Sequence, residues 1–577
     1  MTNNQGILKL ADKIGLFLLV GSLLSYFLFT LPFDFSVTCS SVNEGIHFVN
    51  AQLLLNGKHL YTEILQVRGP LLFLFYAAVL KIFGFGTWSI IAIHVLHKVI
   101  IILIGVAIYF IAEKLFESKF FAGLSVLFWI LIEITPIGLW GQHFEIESTF
   151  ALEAEYFCAL FSLWSIYCLL EACSTNTNKR KGDFLSLLSG FLATCSIMFK
   201  PTGAVVAIAV FCWLIYLVFF QRKSIHTQKH NFIFFFVGLF VSLVISLIAI
   251  YMHNRDLNSF WYVYFQYGQY KDRNIISVEF FISKIFQFMT RYSRSWSNFV
   301  LFLFAFLCFG WGLVRSFFIK TNDNVLKSFS SLISIWGIGN ICTAITPGIY
   351  GSYYYLLIWP SVAISLVFGL KDLYTHSKLF NRKYFKLTVT IFISMFFIQR
   401  LCTIFPVFLQ IEKEQLDLNF IYQVESFQDK VKPNGQVLNP KRVLYLLVAD
   451  IVNGYLPDKT DTFYVLNFVK GGFTFSPFIY IYAKRQSPTS IVSDTLHFEK
   501  FLNKILPILW RDFNSTPPKI IIVPNPIYCK AEKRYLLNSF FTDFSYFLKQ
   551  NYHKKDTFRI ENKFENRIDA CDVYERN

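Results

Sequence analysis

Charged residues are scarce in this chain. Asp, Glu, Lys and Arg make up only 16% of its 577 residues, whereas a typical soluble domain has roughly 25%. Hydrophobic residues make up 55%, with a mean hydropathy of +0.48. One or two soluble cores need far less apolar surface, so an ordinary soluble protein is excluded. The composition indicates an integral membrane protein.

Three sequence signatures are also missing. The eleven cysteines form no CxxC pair and no Cys/His spacing typical of a metal site. We find no Gly-rich phosphate loop. No small-residue cleavage site follows the first apolar run, which begins after Lys9 and Lys13. We therefore predict that this run is a retained first helix and not a signal peptide.

The net charge of +16 does not indicate a nucleic-acid partner. Most of the basic residues lie in short loops between apolar runs, as membrane topology signals do. We expect membrane lipids around this protein and no nucleic acid.

Eleven apolar runs are long enough to cross a membrane, which takes about 20 residues. A twelfth apolar stretch, 70–83, is too short to be assigned by length, and it is either a short span or a helix lying in the interface. The eleven runs lie near residues 14–32, 88–111, 120–138, 149–171, 184–199, 202–220, 231–252, 296–318, 326–345, 353–370 and 387–407.

The distribution of charge decides between these topologies. With a cytoplasmic N-terminus and 70–83 left out of the count, the basic loops all face the cytoplasm, as the positive-inside rule requires. We therefore predict that 70–83 is an interfacial helix on the outer face, within a first exterior loop that spans 33–87. Two further exterior segments follow, 253–295 and the C-terminal part.

The predicted fold is an all-α polytopic membrane domain over residues 1–408, with about eleven transmembrane helices, and a small α/β exterior domain over residues 409–577. In the exterior domain, "TFYVLNF" and "KIIIVPNP" are typical of short buried strands. The segment "TLHFEKFLNKILPILW" between them has apolar residues at helical spacing.

Polar side chains near the membrane are costly unless they have a task, and three clusters of them fall on the predicted outer face. Acids and bases that converge there suit a reaction in which a carboxylate deprotonates a hydroxyl group and cations hold a phosphate leaving group. The clusters comprise Asp34, Asn43, Glu44, His47, Lys58, His59 and Arg68; His143, Glu145, Glu147, Glu153 and Glu155; and Lys200 with the run "TPGIYGSYYY".

Each candidate also has a structural interpretation. Glu155 could pair with a neighbouring Lys or His, and Arg68 and Lys200 could be interface anchors. The tyrosine run is typical of an aromatic belt. His94 and His97, one turn apart, are better explained as hydrogen-bonded packing residues than as metal ligands.

Five landmarks in order resemble a known family, the GT-C membrane glycosyltransferases related to protein mannosyltransferases and aminoarabinose transferases. A bacterial branch of RgtA/B/C/D-like enzymes is the most similar. The landmarks are "VNEGIHFVNAQLLLNGKHLYTEILQVRGPLLFLFYAAVLKIFG", "LEAEYFCALFSLWSIYCLLEA", "GFLATCSIMFKPTG", "GSYYYLLIWPSVAI", and "FIYIYAKRQSPTS" with "PPKIIIV" and "VYER".

The resemblance implies transfer of a sugar from a polyprenyl-phosphate donor to a cell-envelope lipid, glycan or protein. The reaction would invert the anomeric centre on the periplasmic face of a bacterial inner membrane, with the C-terminal domain on that side. Glu44 and Glu155 fall on the family's acids and would be catalytic. The residues that would bind donor phosphate or substrate are Arg68, Lys200, His143, Asn43 and Tyr353.

Two departures from the family pattern leave alternatives open. Asn43 stands where the family has the first acid of a dipeptide, and Ser352 where it has a histidine. Either could mean altered chemistry or an inactive paralogue. A divalent metal bridging Glu44, Glu155 and the phosphate is also open.

A transporter or flippase of lipid-linked saccharides competes with the enzyme, but such proteins often have inverted repeats, and we find none. An O-antigen polymerase or ligase is a third reading, although such enzymes usually have one large exterior loop between late helices.

Overall fold

The computed structural model of the chain describes most of the N-terminal half and parts of the C-terminal half. The described ranges are 2–34, 42–64, 66–139, 152–174, 178–220, 222–266, 325–345, 356–376, 452–456, 460–465, 502–525, 535–562 and 567–577, with isolated residues within 307–314 and 458–487.

Helices dominate the described part of the first 376 residues. Two short turns lie among them, the 3-10 turn Pro201–Ala204 and the π-helical turn Tyr262–Gln266. The helices are α1 (Thr2–Asp34), α2 (Val42–Leu55), α3 (Pro70–Phe83), α4 (Thr87–Phe116), α5 (Lys119–Leu139), α6 (Ala154–Ala172), α7 (Lys179–Phe199), α8 (Val205–Phe220), α9 (Arg222–Asn254), α10 (Leu257–Trp261), α11 (Val325–Ile345) and α12 (Trp359–His376).

Five helical segments within the described ranges are long and apolar enough to cross a membrane: Trp88–Phe116, Ala154–Ala172, Lys179–Phe199, Pro201–Phe219 and Lys229–Asn254. The chain is therefore a multi-pass membrane protein. The count of about eleven spans is not confirmed, since the predicted span 387–407 and most of 296–318 lie outside the described residues.

The helix predicted at 70–83 forms with those bounds, as α3. Pro70 occupies its first turn, where a missing N–H costs nothing, and Gly84 ends it with a φ of 74°. Its place in the membrane interface stays a prediction.

The described chain divides into two compact units. The first consists of Met1–Phe33, Val95–Ile250 and Asp272–Leu409, and the second of Asp34–His94, Tyr251–Lys271 and Gln410–Asn577. The second unit therefore gathers the first loop, the start of the second predicted exterior segment and the C-terminal part. The sidedness of these segments stays a prediction.

Small polar residues hold α6 against α7 in the first unit. The Ser165 and Ser189 hydroxyls each donate to the other residue's carbonyl, at 2.8 and 2.7 Å. Close to the end of α7, the Ser196 hydroxyl donates to the Cys158 carbonyl at 3.1 Å. Hydroxyls that bond across helices satisfy polar groups where lipid offers no partner.

The C-terminal part of the second unit contains a four-stranded mixed sheet. Its strands are β1 (Phe463–Val465), β2 (Ile520–Asn525), β3 (Tyr552–Asn562) and β4 (Arg567–Arg576), in the order β1-β2-β4-β3. The first pair is parallel and the others are antiparallel. The strands predicted in "TFYVLNF" and "KIIIVPNP" are β1 and β2.

Two amphipathic helices, α13 (Leu502–Ser515) and α14 (Tyr535–Asn551), cover this sheet. A buried cluster joins them to it and comprises Tyr464, Leu509, Phe513, Ile521, Val523, Phe544, Leu548 and Tyr552. The described part of 409–577 is therefore α/β, as predicted. The limits of the two domains stay a prediction.

Candidate functional site

Glu44 is a fully buried carboxylate in the first turn of α2, with no exposed surface. Its oxygens lie 3.4 and 3.5 Å from Nε2 of His94, which is itself 2% exposed. The interpretation of His94 as a hydrogen-bonded residue is consistent with this contact, but the partner was not foreseen. The second unit thus contains a buried carboxylate with an imidazole beside it.

The next helix, α3, packs against α2 through aromatic contacts. The His47 ring lies edge-on to the rings of Phe73 and Tyr76, at centroid distances of 6.0 and 5.4 Å. Phe48 also meets Tyr76 edge-on, at 5.1 Å. Because α2 and α3 share this apolar contact, the Glu44 helix and the Arg68–α3 segment form one packed element of the second unit.

Arg68 is buried just before α3, with 8% of its surface exposed. Gly69 is the N-cap of α3, and because glycine has no side chain it makes no side-chain hydrogen bond to the first turn. The N-terminus of a helix carries a partial positive charge and attracts anions. A guanidinium group and a helix N-terminus therefore stand next to each other in sequence.

Glu155 and Lys200 form a buried ion pair in the first unit. The Lys200 ammonium group donates to Glu155 Oε1, and both side chains are almost wholly buried. The other carboxylate oxygen, Oε2, has no hydrogen-bond partner among the described residues. The structural interpretation of Glu155, pairing with a lysine, is thus realised, and its partner Lys200 is itself a predicted site residue.

The end of α7 is shaped to hold Lys200 against α6. Phe199 stacks on Phe157 at 4.2 Å and nearly parallel. The turn after Lys200 folds back so closely that a Cβ atom on Gly203 would lie 2.2 Å from the Ser196 carbonyl oxygen. The glycine of "KPTG" is therefore required by packing, and it fixes the backbone around Lys200.

Further polar side chains are buried on α4 and α6. The His97 ring lies 4.4 Å from the Tyr156 ring, and the Lys98 ammonium group sits 5.2 Å above the ring of Tyr26. Glu153 is the N-cap of α6 and is fully buried. Lys98 was missed by sequence reasoning, although a lysine one turn after His94 inside an apolar run is itself a signal of function.

Three of the predicted site residues need separate comment. Asn43 lies half-buried on α2, next to Glu44. His143 and Tyr353 lie outside the described residues, as does Ser352. Glu44 and Glu155 belong to different compact units, so their meeting stays a prediction.

The described residues do not build a metal site. No group of three or more His, Cys, Asp or Glu side chains within the described ranges is placed to hold an ion. Glu44 with His94 supplies two ligand types, and the carboxylate of Glu155 is held by Lys200. A metal that bridges Glu44 and Glu155 stays a prediction, and no step of the proposed reaction uses one.

Comparison with known proteins supplies two findings. The family described as dolichyl-phosphate-mannose-protein mannosyltransferase matches residues 67–251, less than half of the chain. Comparison with curated protein sequences finds no match.

Solved structures match over nearly the whole chain. The crystal structure of ArnT from Cupriavidus metallidurans bound to undecaprenyl phosphate covers 96% of this chain and 97% of its own, with a TM-score of 0.55 and 11% identity. The apo state of ArnT gives a TM-score of 0.54 at 11% identity, with 97% of each chain covered. Archaeal oligosaccharyltransferase AglB from Archaeoglobus fulgidus gives a TM-score of 0.49 at 10% identity, covering 96% of this chain and 74% of its own.

The chain has a GT-C fold. The resemblance to the GT-C superfamily predicted from the five landmarks is confirmed by the family match and by the fold. The matched region contains Arg68, Glu155 and Lys200 but begins after Glu44. Glu44 lies outside the matched region, and its burial and its contact with His94 mark it as a candidate.

Proposed function

We propose that this GT-C protein transfers a sugar from a polyprenyl-phosphate donor to a hydroxyl group of a cell-envelope lipid, glycan or protein. The single observation that carries the proposal is the buried Glu44–His94 contact in the unit that also holds Arg68. Burying a carboxylate is costly unless it has a specific task or partner. A general base and a phosphate-binding cation are the two groups that this reaction needs.

The reaction balances with these groups. Glu44 accepts the proton of the acceptor hydroxyl group while the oxygen of that hydroxyl attacks the anomeric carbon. The bond between that carbon and the phosphate oxygen breaks, and its electron pair leaves with the polyprenyl phosphate. Attack opposite to the leaving group inverts the anomeric centre. His94, in the tautomer that carries a proton on Nε2, donates to the ionised Glu44 carboxylate and holds it in place.

Arg68 has the role of receiving the leaving phosphate. A guanidinium group binds phosphate oxygens in a fixed, two-pronged geometry. The N-terminus of α3, which has no side-chain cap, adds a partial positive charge beside it in sequence. Charge that develops on the phosphate as the sugar leaves is thereby stabilised more than the charge of the bound donor, which is the condition for catalysis.

The Glu155–Lys200 pair supports a second contact to the donor. We assign Lys200 to the phosphate or to the sugar, and Glu155 to holding the lysine in position until the donor arrives. The support is their burial as an ion pair inside the region that matches the mannosyltransferase family. Asn43, His143 and Tyr353 complete the proposed substrate-binding set.

The location of the reaction is part of the proposal. A polyprenyl-phosphate donor lies in the bilayer, so its sugar phosphate is presented at the depth of an interfacial helix such as α3. The charge distribution of the loops favours the extracytoplasmic face of a bacterial inner membrane, with the N-terminus in the cytoplasm. The C-terminal α/β domain would then lie on the periplasmic side.

The test is transfer by purified protein in lipid vesicles. Labelled polyprenyl-phosphate sugars are offered with envelope lipid, glycan and peptide acceptors, and the Arg68→Gln variant is compared with Arg255→Gln, which changes an exposed arginine of the same unit. We expect transfer by the wild type and by Arg255→Gln, and a loss of about 100-fold for Arg68→Gln, typical of removing one charged group that stabilises a transition state.

Two outcomes would contradict the proposal. Equal transfer by Arg68→Gln and Arg255→Gln would remove Arg68 from the site. Movement of the intact lipid-linked saccharide across the vesicle membrane, with no transfer, would identify a flippase.

A further inference from the structure

The loop between α2 and α3 carries Arg68 and has a constrained backbone. Tyr61 has a φ of 68°, in the left-handed region that residues other than glycine seldom adopt. Its N–H donates to the Ile64 carbonyl at 2.8 Å, which closes a tight turn. A conformation of this kind persists only where the surrounding contacts hold it in place.

The side chain of Tyr61 supplies such contacts and connects directly to Arg68. Its hydroxyl donates to the Arg68 carbonyl oxygen at 3.0 Å, and only 1% of the residue is exposed. Its ring meets the Phe260 ring edge-on at 5.1 Å. Burial raises the pKa of Tyr61 well above its usual value, so the hydroxyl keeps its proton and remains a donor at every physiological pH.

The same loop is attached to the C-terminal domain at two points. The Glu63 carboxylate lies 3.6 Å from the Arg511 guanidinium on α13. Val67, the residue before Arg68, packs against the buried cluster that joins the sheet to its helices. One polar and one apolar contact therefore flank Arg68 on its N-terminal side.

We propose that Tyr61 is the positioning residue of Arg68, and that the C-terminal domain serves to hold the loop that carries both. This inference rests on the proposed function, because positioning matters only if Arg68 binds the donor phosphate. The backbone of Arg68 is fixed by the Tyr61 hydroxyl, and the contacts of Glu63 and Val67 keep the loop from moving away. Tyr61 itself does not touch the donor.

The test compares two tyrosine variants that lose the same kind of bond. Tyr61→Phe removes the hydroxyl that bonds the Arg68 carbonyl. Tyr552→Phe removes a buried hydroxyl of the same unit, which donates to the Pro518 carbonyl at 2.6 Å. Transfer kinetics with a polyprenyl-phosphate sugar give KM for the donor and kcat separately, and amide hydrogen exchange of residues 58–69 reports on the loop itself.

For Tyr61→Phe we expect a rise of about five-fold in the donor KM, the scale of one lost hydrogen bond, with faster exchange over residues 58–69. For Tyr552→Phe we expect neither change. An unchanged donor KM for Tyr61→Phe would overturn the inference, as would equal losses of kcat in both variants, which would indicate general destabilisation. If the wild type transfers no sugar, the proposed function fails, and unchanged exchange in Tyr61→Phe then overturns the positioning of the loop as well.

Discussion

Two buried carboxylates of this protein have different partners. Glu155, in the first unit, is held by the ammonium group of Lys200, and Glu44, in the second unit, contacts the imidazole of His94. An ammonium group that donates to a carboxylate oxygen competes with an incoming hydroxyl group for that oxygen. An imidazole can donate or accept according to its tautomer and can adjust when a proton arrives.

The family resemblance assigns the same catalytic task to both acids, and this difference in partners separates them. Glu44 has the surroundings of a general base, whereas Glu155 has those of a residue that orients a cation. Variants of each carboxylate and of its partner test this contrast.

Breaking the ion pair between Glu155 and Lys200 has the largest effect on stability. Glu155→Gln removes the carboxylate charge that pairs with the buried Lys200 ammonium group, which costs about 3–5 kcal/mol. Thermal unfolding in detergent measures the loss. Glu171→Gln is the matched control, because Glu171 lies on the same helix and pairs with Lys114 at a more exposed position. The double variant Glu155→Gln with Lys200→Met recovers much of the stability, and its failure to recover any would contradict the pair as a unit.

Removing the partner of Glu44 should affect the transfer rate more than the stability. His94→Phe deletes the imidazole beside Glu44, and we expect kcat for sugar transfer to fall about ten-fold, the scale of one hydrogen bond to a charged group. The loss of stability should be smaller than for Glu155→Gln. His230→Phe, at an exposed position on α9, is the control. If His94→Phe lowers the thermal stability but its folded fraction transfers sugar at the wild-type rate, His94 is only a packing residue.

The turn that fixes Lys200 offers a test without removing any charge. Gly203→Ala forces the turn away from the Ser196 carbonyl and should cost about 1–3 kcal/mol, as overpacking of a close contact does. Gly21→Ala is the control, because nothing lies within 4 Å of a Cβ atom at that position of α1. Equal thermal stability of the two variants would mean that the turn is loose enough to move.

The smallest effect concerns pH and the loop of the second unit. Burial favours the protonated form of Glu63, but hydrogen bonds from His59 and Lys58 and the charges of Lys58 and Arg511 outweigh it and lower the pKa of Glu63 below 4.5. Because the folded pKa lies below the unfolded value, the stabilisation is fully present above about pH 4.5 and is lost as the pH falls through the folded value.

The expected change is under about 1 kcal/mol, because the pair is partly exposed. Hydrogen exchange of residues 58–69 between pH 6 and pH 3.5, with rates corrected for their intrinsic pH dependence, measures it. In Glu63→Gln this pH dependence should vanish, and its persistence would assign the effect to another group.

The sequence predicted helices and short apolar strands well because both have a strong periodic signal. The limits of α3 and the positions of β1 and β2 are examples. Strands β3 and β4 were not foreseen, because β3 contains a charged run, Lys554 to Asp556, that hydrophobic criteria reject. Those residues are stabilised across the sheet, where Lys554 pairs with Asp572 and Lys555 with Glu575. Such pairing involves distant parts of the chain and is invisible to a local pattern.

The residues of the candidate site were predicted one by one, but the sequence did not predict which of them contact each other. Glu155 and Lys200 are 45 residues apart and Glu44 and His94 are 50 apart, so no spacing rule joins them. Tyr61 was passed over because its role depends on one backbone bond to Arg68. These residues could be selected from the sequence because polar groups near a membrane are costly unless they have a task. The residues are Glu44, Arg68, Glu155 and Lys200, and all four are buried.

The most direct test of the account is the rate of sugar transfer by Glu44→Gln with saturating polyprenyl-phosphate donor, measured beside Glu171→Gln. The variant keeps the shape of the side chain and removes its capacity to take a proton. We predict that kcat falls by about 100-fold or more for Glu44→Gln, the scale of general base catalysis, and stays at the wild-type value for Glu171→Gln. Wild-type transfer by folded Glu44→Gln would contradict the account.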